Sequence, residues 1–296
     1  MTVQEALNWA SFCLSRGAQS RFVDTGEAAA VARAEAEQLL LAATGWTRTQ
    51  MLIRLAHPLA PSYEARLREW VAERGKGRPL QHILGQADFY GRSFSVGPEC
   101  LIPRPETEVL VEQAIRWLHE HPDGRALDIG TGSGAIAVTL ALECPIAEVH
   151  GLDVSPAALA WARDNARRLG ATVYWHLGDA AAFLPLQAGQ WNLIVSNPPY
   201  IPTREVAKLD AEVRDYEPHL ALDGGEDGLD FYRLLARNAA LAFQPGPAAI
   251  LLEVGHDQAH AVMRLFTDVH ASLWRGWRFQ AIPDLRGILR VVMGER

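Results

Sequence analysis

Cysteine is scarce: Cys13, Cys100 and Cys144 are the only three, odd in number and far apart. No CxxC pair or Cys/His cluster occurs, so a disulfide framework and a structural zinc site are both disfavoured and no metal is expected. Long hydrophobic runs are missing as well. The strongest apolar region, Ile129 to Leu142, is uncharged for only 14 residues, short of the ~20 that a membrane helix needs. Ala180 to Thr203 is also uncharged, but Pro, Gly, Gln and Asn interrupt it. No basic stretch precedes an apolar run at the N-terminus, where Glu5 stands and Arg16 is the first basic residue. A secretory or transit segment fits this poorly. A reduced, cytoplasmic protein with no membrane partner is the expectation. Basic charge is in deficit too, with 28 Lys+Arg against 35 Asp+Glu and a net charge of −7. Such a chain is a poor generic binder of nucleic acid, whose phosphates reward clustered Lys and Arg.

The charge is unevenly spread. Residues 1–80 carry net +2 and residues 81–296 carry net −9, which suggests two units with different partners. Residues 1–80 have helical periodicity throughout. Thr2 with Glu5 fits a capping box ahead of Ala6, Leu7, Ala10 and Leu14. Two further helices are expected over Glu27–Ala43 and Ser62–Glu73. Residues 81–103 read as a β-hairpin linker, with aromatics on either side of Gly91. Pro103 and Pro105 set the start of the next helix, with Glu106 and Glu108 in its first turn. From residue 125 short apolar strands alternate with helices to the end of the chain. That alternation predicts an α/β fold with a doubly wound, mostly parallel sheet and a final antiparallel pair. The expected domains are therefore a helical one over 1–80, the linker over 81–103 and the α/β domain over 104–296.

Two motifs carry chemistry. Asp128-Ile129-Gly130-Thr131-Gly132-Ser133-Gly134 closes the first strand and opens a helix. Its glycines allow a tight turn and close approach of a ligand. Asp153, nineteen residues past Gly134, ends the next strand, where a carboxylate can accept both hydroxyls of a ribose. The pair describes an adenosine-containing ligand across the strand ends. Gly130-x-Gly132-x-x-Ala135 also satisfies the dinucleotide pattern, whereas the tighter Gly-x-Gly-x-Gly behind an acid resembles the S-adenosyl-L-methionine loop of Rossmann-like methyltransferases.

The second motif, Asn197-Pro198-Pro199-Tyr200, follows an apolar strand. A delocalised amide or amino-aromatic nitrogen is a weak nucleophile that keeps two N–H donors. The Asn197 side-chain oxygen and the Pro198 carbonyl can each accept one, directing the lone pair at a methyl group. The prolines preorganise those acceptors, and Tyr200 offers a flat wall to a planar group. The reaction class is in-line methyl transfer to a planar nitrogen. Two acceptors remain open on these residues, a protein amide and the amino group of adenine or cytosine; a dehydrogenase would need an acid/base that nothing here nominates.

These strings also resemble one family over most of the chain: the peptide chain release factor N5-glutamine methyltransferases, the PrmC/HemK family. The resemblance includes Pro79–Gly85, Phe89-Tyr90-Gly91, the Gly224–Leu229 and Glu253–Asp257 strings and, most discriminating, Leu101-Ile102-Pro103-Arg104-Pro105-Glu106-Thr107-Glu108. Enzymes that methylate a ribosomal protein glutamine look different in that last string. The resemblance implies methyl transfer from S-adenosyl-L-methionine to the glutamine of the Gly-Gly-Gln tripeptide of class 1 release factors, with no direct nucleic-acid substrate. It implies a seven-stranded Rossmann-like methyltransferase domain behind a helical substrate-docking domain. Gly130, Thr131, Gly132, Ser133 and Gly134 would wrap the methionine part of the cofactor, and Asp153 would bind the ribose. Asn197 would touch both cofactor methyl and substrate amide, with Pro198, Pro199 and Tyr200 completing the glutamine pocket. Relatives often carry a bulky side chain beside the adenine; this chain offers Ala180, with Asp179 as an acceptor for the adenine amino group. Arg104 either orients the substrate loop or pairs with Glu106 or Glu108. Glu253, at a strand end, is a candidate support for Asn197 against the plainer reading of a solvated acid. The acidic run Asp210–Glu217 reads as a solvated helix face, with a surface that meets a basic partner as the alternative.

Overall fold

The computed structural model describes residues 1–18 and 25–296. Their contacts divide into two compact units: Met1–Gly85 with Asp210–Tyr216, and Gln86–Leu209 with Glu217–Arg296.

The first unit is helical, with α1 (Val3–Ala18), α2 (Thr25–Thr44), α3 (Arg48–Leu52), α4 (Pro61–Gly75) and α5 (Leu80–Leu84). The expected capping box forms at α1: the Glu5 amide donates to Thr2 Oγ1 at 3.2 Å and the Thr2 amide to Glu5 Oε2 at 2.8 Å. Val3, Ala6, Leu7, Ala10 and Leu14 then fall on one buried stripe, packed with Ala32, Ala36, Leu39 and Leu40 of α2 and with Leu67 and Val71 of α4. The reading of Asp210–Glu217 as a solvated face is corrected here. Glu212 joins Glu35 in pairing with the buried Arg74 guanidinium, at 2.5 and 2.7 Å. An arginine withdrawn from water must be paired, and its five donors take two carboxylates together.

The second unit begins with the hairpin β1 (Gln86–Phe89) and β2 (Arg92–Ser95). Tyr90 and Gly91 turn it with φ of 49° and 70°, the left-handed pair that a tight two-residue hairpin requires. The main sheet has seven strands: β3 (Arg125–Ile129), β4 (Glu148–Asp153), β5 (Tyr174–Leu177), β6 (Leu193–Ser196), β7 (Ala249–Glu253), β8 (Arg278–Pro283) and β9 (Leu289–Glu295). They run in the order β5-β4-β3-β6-β7-β9-β8. β3 to β7 are parallel, and β9 is antiparallel to both neighbours, as the tail's strand pair predicted. Alternate residues feed two cores: Ala249 and Leu251 pack on one side of the sheet, Ile250 and Leu252 on the other. One face is covered by α6 (Thr107–Glu120) and α7 (Ala135–Glu143), the other by the helices Asp230–Asn238 and Ala259–Arg264. A parallel strand covered on both faces is apolar at nearly every position, which is why β6 up to Val195 and β7 up to Leu252 read as hydrophobic runs. The helix Asp230–Asn238 starts only after Leu229, because the preceding residues form a glycine loop packed on the Pro199 and Tyr200 backbone.

One side chain ties three pieces of this unit together. Asn165, on α8 (Pro156–Leu169), is fully buried. Its oxygen accepts the Ser95 amide at 2.7 Å, and its nitrogen donates to the Ser95 and Ser133 carbonyls, each at 2.9 Å. The hairpin and the glycine turn are thereby pinned to one helix. Removing this side chain leaves buried backbone groups without partners, a loss of about 2 kcal/mol. Urea unfolding of Asn165→Ala will show this as a lower midpoint, and an unchanged midpoint would contradict the assignment.

Candidate active site

The parallel strands bring the glycine turn after β3, Asp153 at the end of β4, Asn197 after β6 and Glu253 at the end of β7 to the same carboxyl edge of one sheet. Open α/β sheets bind ligands at that edge, where loops diverge.

Gly130 and Gly132 adopt φ of 73° and 55°, and a Cβ built at either would meet nothing within 4 Å. The backbone angles demand glycine, and the space above them forms a cradle that side chains would fill. Gly134 caps α7 in the left-handed region against Ala162. The cradle hangs from a buried acid. Asp128 is completely inaccessible; its Oδ2 accepts the Thr131 hydroxyl at 2.6 Å and the Ala137 amide at 3.2 Å. Burial raises its pKa to about 7, opposed by those two hydrogen bonds, and its Oδ1 makes no hydrogen bond. The Thr131 hydroxyl is thus committed to the protein, as is the Ser133 carbonyl. Asp153 Oδ2 accepts the Gly132 amide at 2.9 Å and Oδ1 the Ser155 amide at 2.9 Å. Each carboxylate oxygen retains a lone pair, and the residue remains partly exposed. An open glycine cradle beside a strand-end carboxylate fits an adenosine-type cofactor. Asp179 caps the helix Ala180–Phe183 by accepting the Ala181 amide at 2.8 Å, and Ala180 itself is buried.

The Asn-Pro-Pro-Tyr turn is held by backbone packing. Ser196 donates to the Ile129 carbonyl at 2.6 Å, joining the ends of β6 and β3. A Cβ on Gly224 would lie 2.8 Å from the Pro199 oxygen, and one on Gly228 would lie 2.3 Å from the Tyr200 oxygen. The Gly224–Gly228 loop is glycine-rich because two backbones touch there. Gln258 locks the contact: its Nε2 donates to the Tyr200 carbonyl at 2.8 Å, and its Oε1 accepts the Gly255 amide at 3.0 Å. Burial pushes the Tyr200 phenol to about 12, so it stays neutral. Asn197 Nδ2 donates to Thr107 Oγ1 at 3.1 Å. Asn197 Oδ1 has no protein partner among the described residues.

Two readings from the sequence change. Arg104 pairs with neither Glu106 nor Glu108. It pairs with Glu217, whose carboxylate also accepts the Ile102 amide at 3.2 Å, while Glu108 accepts the Tyr90 amide at 2.7 Å. Glu253 is buried rather than solvated: burial raises its pKa to about 7, Thr107, Arg290 and Arg104 oppose the rise, and its Oε2 makes no hydrogen bond among the described residues. Sequence reasoning did not nominate Thr107, Gln258 or Glu217. Their positions are set by tertiary contacts, and only the density of the Leu101–Glu108 string pointed toward the first.

A Rossmann-like sheet with this cradle, strand-end acid and Asn-Pro-Pro-Tyr turn defines a methyltransferase. Family models for the PrmC N-terminal domain and the methyltransferase small domain match residues 5–85 and 106–214. A release factor glutamine methyltransferase of Geobacter sulfurreducens is 44% identical over 268 residues, 90% of this chain and 88% of its own. One from Moorella thermoacetica is 41% identical over 296 residues, 100% of this chain and 99% of its own. A solved structure of a release factor-specific protein-(glutamine-N5) methyltransferase from Alicyclobacillus acidocaldarius is 38% identical, covering 69% of this chain and 99% of that one, with a TM-score of 0.44. The chain belongs to the release factor glutamine methyltransferase family.

The raised pKa of Asp128 has a stability consequence. Its folded value, about 7, exceeds the ordinary carboxyl value of 3.8, so the folded chain binds a proton that the unfolded chain releases. Stability contributed by that proton is present at acid pH and is lost as pH rises through about 7. Asp128→Asn will therefore gain on the wild type as pH rises from about 4 to about 7, read by urea unfolding at each pH. A difference that does not vary with pH would contradict the buried-acid assignment.

Proposed function

We propose that this protein transfers the methyl group of S-adenosyl-L-methionine to the side-chain amide nitrogen of the glutamine in the Gly-Gly-Gln tripeptide of class 1 release factors. The observation that carries the reading is the unpartnered Asn197 oxygen, fixed at the same sheet edge as the glycine cradle. The family's named members support the choice of a release factor as acceptor. Gly130 to Gly134 hold the cofactor's methionine part and Asp153 its ribose, while Asp179 and Ala180 border the adenine. When bound, the cofactor supplies an electrophilic methyl on a sulfonium that leaves as a neutral thioether.

The chain's task is to aim a weak nucleophile. Asn197 Oδ1 and the Pro198 carbonyl each accept one N–H of the glutamine amide, which turns the nitrogen lone pair toward the methyl carbon. Pro198 and Pro199 restrict the backbone, so little ordering remains for substrate binding. Tyr200, neutral at any ordinary pH, walls the planar amide. Arg104, braced by Glu217, orients the substrate loop. With the cofactor bound, the N–C bond would form at the expense of its C–S bond, and the displaced amide proton would leave to water. The helical unit is the candidate docking module for the factor. The net −9 of residues 81–296 argues against a nucleic-acid substrate. No helix among the described residues is long and apolar enough to cross a membrane, which accords with the cytoplasm, where release factors act.

Purified protein, cofactor with a labelled methyl and a release factor will give label in the factor, lost when the tripeptide glutamine is replaced. Label in DNA or ribosomal RNA instead would overturn the reading. Asn197→Ala will lower kcat by about 100-fold or more, because it removes an acceptor aimed at the reacting nitrogen. Cofactor affinity, measured by calorimetry, will stay nearly unchanged. A matching loss of affinity would move Asn197 into the cofactor site alone.

A further inference from the structure

The candidate site opens on the carboxyl edge of the sheet, and one further element reaches that edge. β8 and β9 form a hairpin whose turn, residues 284–288, lies on the same side as the ends of the parallel strands. The register places it there. Glu253, the last residue of β7, pairs with Val291, and the Val254 amide donates to the Arg290 carbonyl at 2.9 Å. The residues before Leu289 therefore project past the end of β7.

The turn is firmly built. The Asp284 amide donates to the Ile288 carbonyl at 2.8 Å, and the Gly287 amide to the Asp284 carbonyl at 2.9 Å. Asp284 Oδ1 accepts the Arg286 and Ile288 amides at 2.9 and 3.0 Å, and its Oδ2 accepts Arg290 Nε at 3.3 Å. Gly287 closes the turn at a φ of 81°, an angle that glycine adopts without strain. Two side chains at the tip take no part in this frame. Leu285 is fully exposed. Arg286 is exposed as well, and its guanidinium has no hydrogen bond or ion pair among the described residues. The acid nearest to it in sequence, Asp284, is already claimed by Arg290.

We propose that Leu285 and Arg286 are a docking element for the protein substrate: they grip the release-factor chain a few residues away from the methylated glutamine, Leu285 against an apolar side chain and Arg286 against backbone carbonyl oxygens. β6, β7 and β9 are successive neighbours in the sheet. The tip thus stands about two strand spacings, ~10 Å, from the turn that carries Asn197. An extended chain covers that distance in about three residues. Counted from the glutamine in either direction, the third residue falls outside the Gly-Gly-Gln tripeptide. The two glycines have no side chain to read, so a contact beyond them is what separates a release factor from another loop that ends in glutamine. A guanidinium has five donors and no acceptor, which suits the carbonyls of an extended segment. A wholly exposed leucine gains from burial only when a partner covers it. A polynucleotide is the poorer occupant, because it rewards clustered cations, whereas Arg290 is paired with Asp284 and residues 81–296 carry net −9. The inference rests on the proposed amide methylation and adds to it where the factor is held.

The test is steady-state kinetics of the full chain with a release factor and labelled cofactor, on the wild type, Leu285→Ser, Leu285→Met, Arg286→Ala and the double variant Leu285→Ser with Arg286→Ala. Leu285→Ser is expected to raise KM for the factor about 10-fold, and Arg286→Ala about fivefold. The double variant exceeds either. Leu285→Met keeps the apolar contact and stays within about twofold of wild type. In every variant kcat at saturating factor and KM for the cofactor stay within about twofold, because neither side chain belongs to the cradle or to the Asn-Pro-Pro-Tyr turn. Melting temperatures are unchanged, because both side chains project into solvent. Methylation of the factor by the wild type tests the function itself and is scored separately. Given that activity, an unchanged KM for the factor in the double variant overturns the docking element. A fall in kcat at unchanged KM, or a rise in KM that comes with a lower melting temperature, overturns it too. A wild type that is dimeric on gel filtration with a monomeric Leu285→Ser variant would assign the tip to a second copy of the chain and equally overturn the proposal.

Discussion

Two carboxylates withdrawn from water carry the rest of the site. Asp128 ends β3 and Glu253 ends β7, and each has its pKa raised by burial to about 7. Each keeps one oxygen without a hydrogen-bond partner among the described residues, while the other oxygen of Asp128 takes the Thr131 hydroxyl. Burying an acid without a full set of partners is unfavourable by roughly 1–3 kcal/mol or more, and a fold tolerates it only where the acid organises something. Asp128 gathers the glycine turn by taking a hydroxyl and an amide from either end of it. Glu253 ends β7 at the same sheet edge as Asn197, whose Nδ2 is held by the Thr107 hydroxyl. The cradle is a loop, yet Asp128 ties it to the end of β3.

The parts of this arrangement that are local in sequence were legible there. A Gly-x-Gly-x-Gly turn needs its glycines for backbone angles that only they adopt readily, and two prolines after an asparagine restrict one segment in place. Alternation of strand and helix gave the α/β sheet, and the two charges of opposite sense either side of residue 80 marked two units. Asp153 was legible by spacing, since β4 follows β3 through one helix of ordinary length.

The supports were not legible, because each joins segments far apart in the chain. Asn165 joins α8 to β2 and to the glycine turn; Gln258 reaches back to Tyr200; Glu217 reaches Arg104 and Ile102. A glutamate among other acids looks solvated until a buried arginine elsewhere claims it, which is how Asp210–Glu217 was misread. Glu253 stayed open between a support for Asn197 and a solvated acid, because a strand-end acid is ordinarily wet and its burial is a matter of tertiary packing. The glycines at 224 and 228 were visible as a motif, but their reason lies in the backbone of the Asn-Pro-Pro-Tyr turn pressed against them.

The ionisable groups here serve geometry rather than proton transfer. Tyr200 is held protonated to about 12 and offers no base. An amide that attacks a sulfonium methyl needs no base in advance, because the leaving group departs neutral and the proton becomes acidic only after the new bond forms. What the amide does need is alignment of a delocalised lone pair, which in the proposed reaction the Asn197 oxygen and the Pro198 carbonyl would supply. The same reasoning explains a neutral asparagine in the motif. A carboxylate there would accept both N–H groups but would draw the cofactor's positive sulfur as well, whereas an amide oxygen orients the nucleophile and leaves the electrophile's charge unquenched.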